Sequence, residues 1–211
     1  IVSGTGGSFS NASSANSTFI GTAGSSYVLR WTITNSTCTP STDDVTITFP
    51  RNPSAANAGP SQTLCGSTST TLAGNTPSVG TGTWTIFSGT GGSLGAATSP
   101  TSSFTGLAGN TYVLFWTISN APCIASADSM VVSFPRNPTN ANAGPDQLLC
   151  GLTTATLAAN TPSVGSGLWT KVSGAGGSFS NASSATSNFT GTAGISYVLR
   201  WTISNSPCVS S

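Results

Sequence analysis

Hydrophobic and polar positions alternate along this chain with a period of two. In Tyr112-Val113-Leu114-Phe115-Trp116-Thr117-Ile118, one face carries Tyr112, Leu114, Trp116 and Ile118, and the other carries Val113, Phe115 and Thr117. A strand requires this alternation; a helix would bring positions three and four apart together. Phe115 corresponds to Arg30 and Arg200 in closely similar runs, so the second face is expected to meet solvent and the first to form the core. Val45-Thr46-Ile47-Thr48-Phe49 alternates in the same way. No segment sustains a 3.6-residue period. Strands are predicted near 62–64, 70–73, 83–87, 102–105, 112–119 and 129–134, with a weaker one near 93–95. Gly, Pro, Asn and Ser separate them, the pattern of an all-β sandwich or barrel. The run around Trp84 is ambiguous: Ile86 becomes Lys171, while the Phe87 position stays apolar as Val2 and Val172. A bulge would let Trp84 and Phe87 both face inward.

The same pattern recurs along the chain at one constant step. Trp31, Trp116 and Trp201 keep this step, as do Tyr27, Tyr112 and Tyr197, and Cys38, Cys123 and Cys208. Cys65 corresponds in this sense to Cys150, and Trp84 to Trp169. Residues 171–211 match 1–41 at 31 of 41 positions. A unit of about 85 residues exceeds a solenoid repeat and suits a domain. Phe-Pro-Arg-Asn-Pro at 49–53 and 134–138 reads as a short, semi-stiff linker, because Pro removes donors and favours extended backbone. The expected division is 1–57 (lacking its first part), 58–142 (complete) and 143–211 (lacking its last strand). Each is expected to be a β-sandwich with Tyr27, Trp31, Tyr112, Trp116, Tyr197 and Trp201 in its core.

Several motifs resemble known folds. Leu107-Ala108-Gly109-Asn110-Thr111-Tyr112 is similar to the tyrosine corner of immunoglobulin-like sandwiches. Further motifs accompany it: Ala-Gly-Pro-(Ser/Asp)-Gln-x-Leu-Cys-Gly, Gly-x-Trp-Thr, Ser-Gly-(Thr/Ala)-Gly-Gly-Ser and Tyr-Val-Leu-x-Trp-Thr-Ile-Ser-Asn-x-Pro-Cys. Together they resemble the tandem Ig-like or PKD-like repeats of very large secreted surface proteins of Bacteroidota, including gliding-associated adhesins exported by the type IX pathway. The resemblance implies an extracellular stalk or fibre and carries no catalytic residue.

Composition narrows the chemistry. Only 4% of residues are charged, with five Lys or Arg, four Asp, no Glu and no His; about 25% is usual. Ser and Thr make up 71 of 211 residues and fill the difference. Acid–base catalysis at neutral pH normally calls on His or a tuned Glu. Five cations against four anions make no nucleic-acid footprint. No apolar run reaches the ~20 residues of a membrane span. No cofactor is called for. Ile1-Val2-Ser3-Gly4 echoes the mature start of trypsin-like proteases, which require a His. Gly4-Thr5-Gly6-Gly7 is followed by neither Lys nor a helical pattern, and reads as a turn. Asp43, Asp44, Asp128 and Asp146 are too few and too inconstant for calcium: Asp44 becomes Ser129, and Asp146 corresponds to Ser61. Asn-x-Ser/Thr triplets begin at Asn11, Asn16 and Asn181, and Asp128-Ser129-Met130 resembles a short O-glycosylation motif. In so Ser/Thr-rich a chain, chance supplies such matches.

Five cysteines suggest disulfides and an oxidising location. Two pairings fit the spacing: Cys65 with Cys123, or Cys38 with Cys65. A final strand would hold the second pair about 25 Å apart, against a limit near 7 Å. The first loop and the loop between strands six and seven are expected at the same end of the sandwich. The expected bonds are therefore Cys65–Cys123 and Cys150–Cys208, with Cys38 joined to a residue outside the window. A loop of about 58 residues would contribute ~4 kcal/mol. With a single Lys, Lys171, isopeptide links cannot staple every unit.

The functional expectation is a structural, non-enzymatic extracellular or cell-surface protein that self-associates into a fibre, filament or adhesin stalk. Short uncharged Ser/Thr/Asn faces can pack without repulsion. The alternative is a carbohydrate- or ligand-binding module of an adhesin or of a secreted polysaccharide-degrading enzyme, recognising a glycan or host-cell ligand. In that case Trp84 and Trp169 would be the candidate stacking platforms.

Overall fold

The computed structural model describes residues 1–211. The central region contains β5 to β11, after four amino-terminal strands: β1 (Ser8–Phe9), β2 (Phe19–Ile20), β3 (Ser25–Ile33) and β4 (Ser41–Phe49). The central strands are β5 (Gln62–Thr63), β6 (Ser69–Thr71), β7 (Thr81–Ser88), β8 (Ser93–Leu94), β9 (Ser103–Thr105), β10 (Thr111–Ser119) and β11 (Ser126–Ser133). After them come β12 (Thr154–Thr156), β13 (Ser166–Ser173), β14 (Ser178–Phe179), β15 (Asn188–Thr190) and β16 (Val198–Ser204). There is no helix, and so none long and apolar enough to cross a membrane.

In the central sandwich, one sheet has the order β5-β11-β10-β7 and the other β6-β9-β8. β5 runs parallel to β11, and the remaining pairs are antiparallel. Three strands facing four, with the first strand passing beside the last, is the immunoglobulin-like arrangement. The inner faces bury Leu72 and Phe104 from one sheet against Trp84, Tyr112, Leu114, Trp116, Ile118, Met130 and Val132 from the other. Trp84 and Trp116 lie with ring centroids 5.0 Å apart. The Trp116 ring passes so close over Gly82 that no Cβ would fit there. The carboxylate of Asp128 accepts the Ala58 N–H at 2.8 Å. No three His, Cys, Asp or Glu side chains cluster anywhere in the chain.

The ambiguity at Trp84 resolves through a bulge that turns Phe87 outward rather than inward. The β7–β10 register shifts between Val113 and Leu114. Ile86 then packs on the core, while Phe87 turns outward at 72% exposure. Trp84 is 1% and Trp169 3% exposed, so neither is a stacking platform.

Tyr27, Tyr112, Trp116 and Trp201 are buried, and Tyr197 is half-buried against the carboxy-terminal core. Trp31 departs from expectation at 41% exposure. Trp116 is covered by Gly82 and Trp84, and Trp201 by Gly167 and Trp169. The positions one repeat before Gly82 and Trp84 lie outside residues 1–211. Only β4 pairs with β3 along the stretch that holds Trp31.

Just after the segment 49–53, the chain is hydrogen-bonded to the sandwich that follows. Ser54 donates its N–H to Val79 O, Asn57 N–H reaches Asn75 Oδ1, and Ala56 N–H reaches Ser126 Oγ. Ala58 is fully buried and Ala56 packs on the same core. The backbone donors from Ser54 to Ala58 thus dock onto the sandwich that follows. The Asn11 and Asn181 side chains accept the N–H groups of Ser13 and Ser183, two residues on. This is Asx-turn chemistry. Met130 of the supposed O-glycosylation motif is 1% exposed.

Candidate functional site

Two features recur in register with the repeat: the tyrosine corners and the junctions between sandwiches. At each corner a phenol oxygen accepts one N–H and donates to one carbonyl. Tyr112 OH accepts from Leu107 N (2.7 Å) and donates to Thr90 O (3.0 Å). Tyr27 does the same with Thr22 N and Thr5 O, and Tyr197 with Thr192 N and Ala175 O. Thr22 holds the Tyr27 phenol pKa below the ordinary tyrosine value by hydrogen bonding to it. These corners pin a loop to the sheet and present no reactive group.

The junction is where the chain brings separate units together. The loop after β10 carries Asn120, whose side-chain N–H donates to Arg51 O at 2.7 Å. The loop after β16 carries Asn205, which donates to Arg136 O, also at 2.7 Å. Next to these, Ser54 Oγ accepts from Ser78 N and Val79 N, and Thr139 Oγ1 accepts from Ser163 N and Val164 N. Arg51 and Arg136 point their Nε back to Ala23 O and Ala108 O, each at 3.4 Å. The two junctions are thus built from the same hydrogen bonds, one repeat apart. An open, mostly polar cleft of about 410 Å³ lies at the second junction, lined in part by Arg136, Asn205 and Pro207.

Cysteine chemistry belongs to this site. Cys65 bonds Cys208, with Cα atoms 5.6 Å apart and a sequence separation of 143. The expected Cys65–Cys123 and Cys150–Cys208 bonds are not formed; Cys38, Cys123 and Cys150 are free thiols. The reason lies in strand direction. β5 runs parallel to β11, so it delivers Cys65 to the end of the sandwich where β11 finishes. Leu64 N–H and Gly66 N–H continue that pairing to Ser133 O and Pro135 O. Cys123 sits in the β10–β11 loop, at the opposite end of β11. An eight-residue strand at about 3.3 Å per residue keeps the two apart. What Cys65 does meet is the next sandwich's loop after β16, which carries Cys208. Gly66, at φ 67°, allows the chain to turn against Asn137, where a side chain would collide.

On the outer face of the β5-β11-β10-β7 sheet, Phe87 and Phe115 pack edge to face with centroids 5.2 Å apart. Sequence reasoning left the direction of Phe87 open and so did not find this pair. The bulge that exposes it leaves no mark in the alternation. At the corresponding position of β3, Arg30 makes a two-pronged pair with Asp44 at 2.8 and 2.9 Å. This raises the Arg30 pKa and holds the Asp44 carboxyl below its ordinary value, both through the hydrogen bond first.

No protein-family model and no curated protein matches the chain. Several solved structures align with it. The solution structure of the PKD domain from the KIAA 1837 protein is 28% identical, covering 44% of this chain and 91% of that domain, with a TM-score of 0.35. The insect immune protein hemolin is 12% identical over 86% of this chain and 52% of its own, with a TM-score of 0.41. Extracellular cadherin domains 3–6 of protocadherin gamma B2 are 12% identical over 88% and 55%, with a TM-score of 0.37. The chain spans about half the length of the last two. It is an all-β protein of immunoglobulin-like sandwich fold.

Proposed function

We propose that this protein is an extracellular structural element: a tandem array of immunoglobulin-like units that forms a surface stalk or fibre and associates with further copies of itself. The units are 1–57, 58–142 and 143–211, the first and last being partial within residues 1–211. The observation that carries this reading is the junction. The same set of inter-unit hydrogen bonds occurs twice, and at the second a disulfide clamps one sandwich to the next. A joint built from backbone-directed hydrogen bonds and a covalent clamp sets a fixed rise and rotation per unit, as a rod under tension requires. The disulfide and the motif resemblance to secreted Bacteroidota surface proteins support an exterior, oxidising location. The role is structural rather than catalytic, in keeping with a chain that has neither His nor Glu. Electron microscopy of the native material tests the reading. Fibres or straight rods with a regular axial repeat are expected; flexible strings of beads would contradict it.

A second reading, glycan or ligand binding, is favoured by the Phe87–Phe115 pair, which faces solvent on a sheet surface. Binding on a glycan array that Phe87→Ala abolishes, with the fold retained, would support it.

A further inference from the structure

We propose that Cys123 and Cys150 are the two complementary halves of the junction disulfide, each made to bond the opposite half on another unit of the same repeat. The bond in hand joins a cysteine that follows the first strand of one unit, Cys65, to a cysteine in the loop between strands six and seven of the next, Cys208. Cys150 stands one repeat after Cys65, and Cys123 stands one repeat before Cys208. Cys123 therefore occupies, at the first junction, the place that Cys208 occupies at the second. The surrounding contacts agree in detail: Asn120 with Arg51 O matches Asn205 with Arg136 O, and Ser54 with Val79 matches Thr139 with Val164. The complement of Cys123 falls 143 residues ahead of it, and the complement of Cys150 falls 143 residues beyond it; both positions lie outside residues 1–211. Both thiols are accessible, Cys150 exposed and Cys123 half-buried.

Each unit would then carry two inter-unit bonds, one forward and one back, and none within itself. In such an array no unit can be drawn away from its neighbour without breaking a covalent bond. The complementary thiol comes either from the adjoining unit of one longer polypeptide or from a second copy of this chain. The chemistry is the same in both cases. Two thiols lose two electrons and two protons to an oxidised disulfide donor such as oxidised glutathione, through a mixed disulfide.

The inference rests on the array reading above, yet it can fail alone: regular fibres whose Cys123 and Cys150 remain alkylatable would sink it and leave that reading standing. The test oxidises the purified chain in a glutathione buffer and resolves it on a non-reducing denaturing gel. The expected result is a reductant-sensitive ladder in which Cys150 of one copy is joined to Cys123 or Cys38 of another, with Cys65–Cys208 intact. Cys150→Ser should abolish the ladder; because Cys150 is exposed, the variant keeps its fold. Monomers with free thiols, or like-with-like Cys150–Cys150 dimers, would overturn the proposal. Peptide mapping of native material then separates the two sources. A bond at the Cys65–Cys208 separation that runs at the mass of a single polypeptide assigns the complement to the same chain, and one that runs at multiples of that mass assigns it to a second copy.

Discussion

The junction at Arg51–Asn57 and the junction at Arg136–Asn142 are made of the same hydrogen bonds, and only the second carries a disulfide. Two jobs are thereby separated. Positioning is done by short polar groups: an Asn amide on a backbone carbonyl, a Ser or Thr hydroxyl beneath two N–H groups. Such bonds are worth about 1 kcal/mol each, enough to select one orientation but too little to withstand a sustained load. Fastening is done by Cys65 and Cys208. The cysteine is delivered to the joint by a first strand that runs parallel to the last.

The difference between the junctions is broken most forcefully at the disulfide. Replacing Cys65 and Cys208 with Ser opens a loop of 143 residues, for which loop entropy gives about 5 kcal/mol. Thermal unfolding should shift down by several degrees, and the two junctions should become equally mobile in small-angle scattering or spin-label distances. An unchanged melting curve with a reductant present would contradict this. Next in size is Trp116→Ala. It empties a fully buried site against Trp84 and should cost about 3–5 kcal/mol in denaturant unfolding. Trp31→Ala, at a 41% exposed site, should cost well under half of that.

Tyr112→Phe leaves Leu107 N–H and Thr90 O without their partner, a loss of about 1–3 kcal/mol. Asn120→Ala should raise hydrogen exchange around the first junction by several-fold, whereas Asn205→Ala should do less at the second, where the disulfide holds the same groups together. The smallest effect concerns pH. With no His or Glu, stability should stay flat between about pH 5 and 9. Asp44 has a lowered folded pKa, so its contribution is complete above the ordinary carboxylate value near 4 and is lost as pH falls through the lower folded value. Its side chain is 39% exposed, so the loss is slight; acid titration of wild type against Asp44→Ser measures it.

Much of the fold was legible because strands announce themselves locally. The expected strand at 112–119 is observed as Thr111–Ser119, and the weak one near 93–95 as Ser93–Leu94. The tyrosine corner was readable from Leu107 to Tyr112, because its hydrogen bonds are local. The cysteine pairing was not. It depends on whether β5 lies parallel or antiparallel to β11, and alternation is the same in either direction. Cys65–Cys123 was preferred because the first loop and the loop between strands six and seven were placed at one end of the sandwich, although the strand-length argument used against Cys38–Cys65 applies to it equally. The direction of Phe87 stayed open for a related reason: a bulge changes which residue faces inward without changing the residues. The anchoring of residues 56–58 could not be read from the sequence either, because the groups that hold them, the side chains of Ser126, Asp128 and Asn75, are distant in sequence and adjacent in the fold.

The central claim, that the clamp joins one sandwich to the next, has a direct test in the tryptic map of the unreduced, alkylated protein. Cleavage after Arg51, Arg136, Lys171 and Arg200 places Cys65 and Cys123 on the peptide 52–136, Cys150 on 137–171 and Cys208 on 201–211. The account predicts 52–136 joined to 201–211, with fragmentation locating the bond on Cys65. Recovery of 137–171 joined to 201–211, together with an internally bonded 52–136, would contradict it.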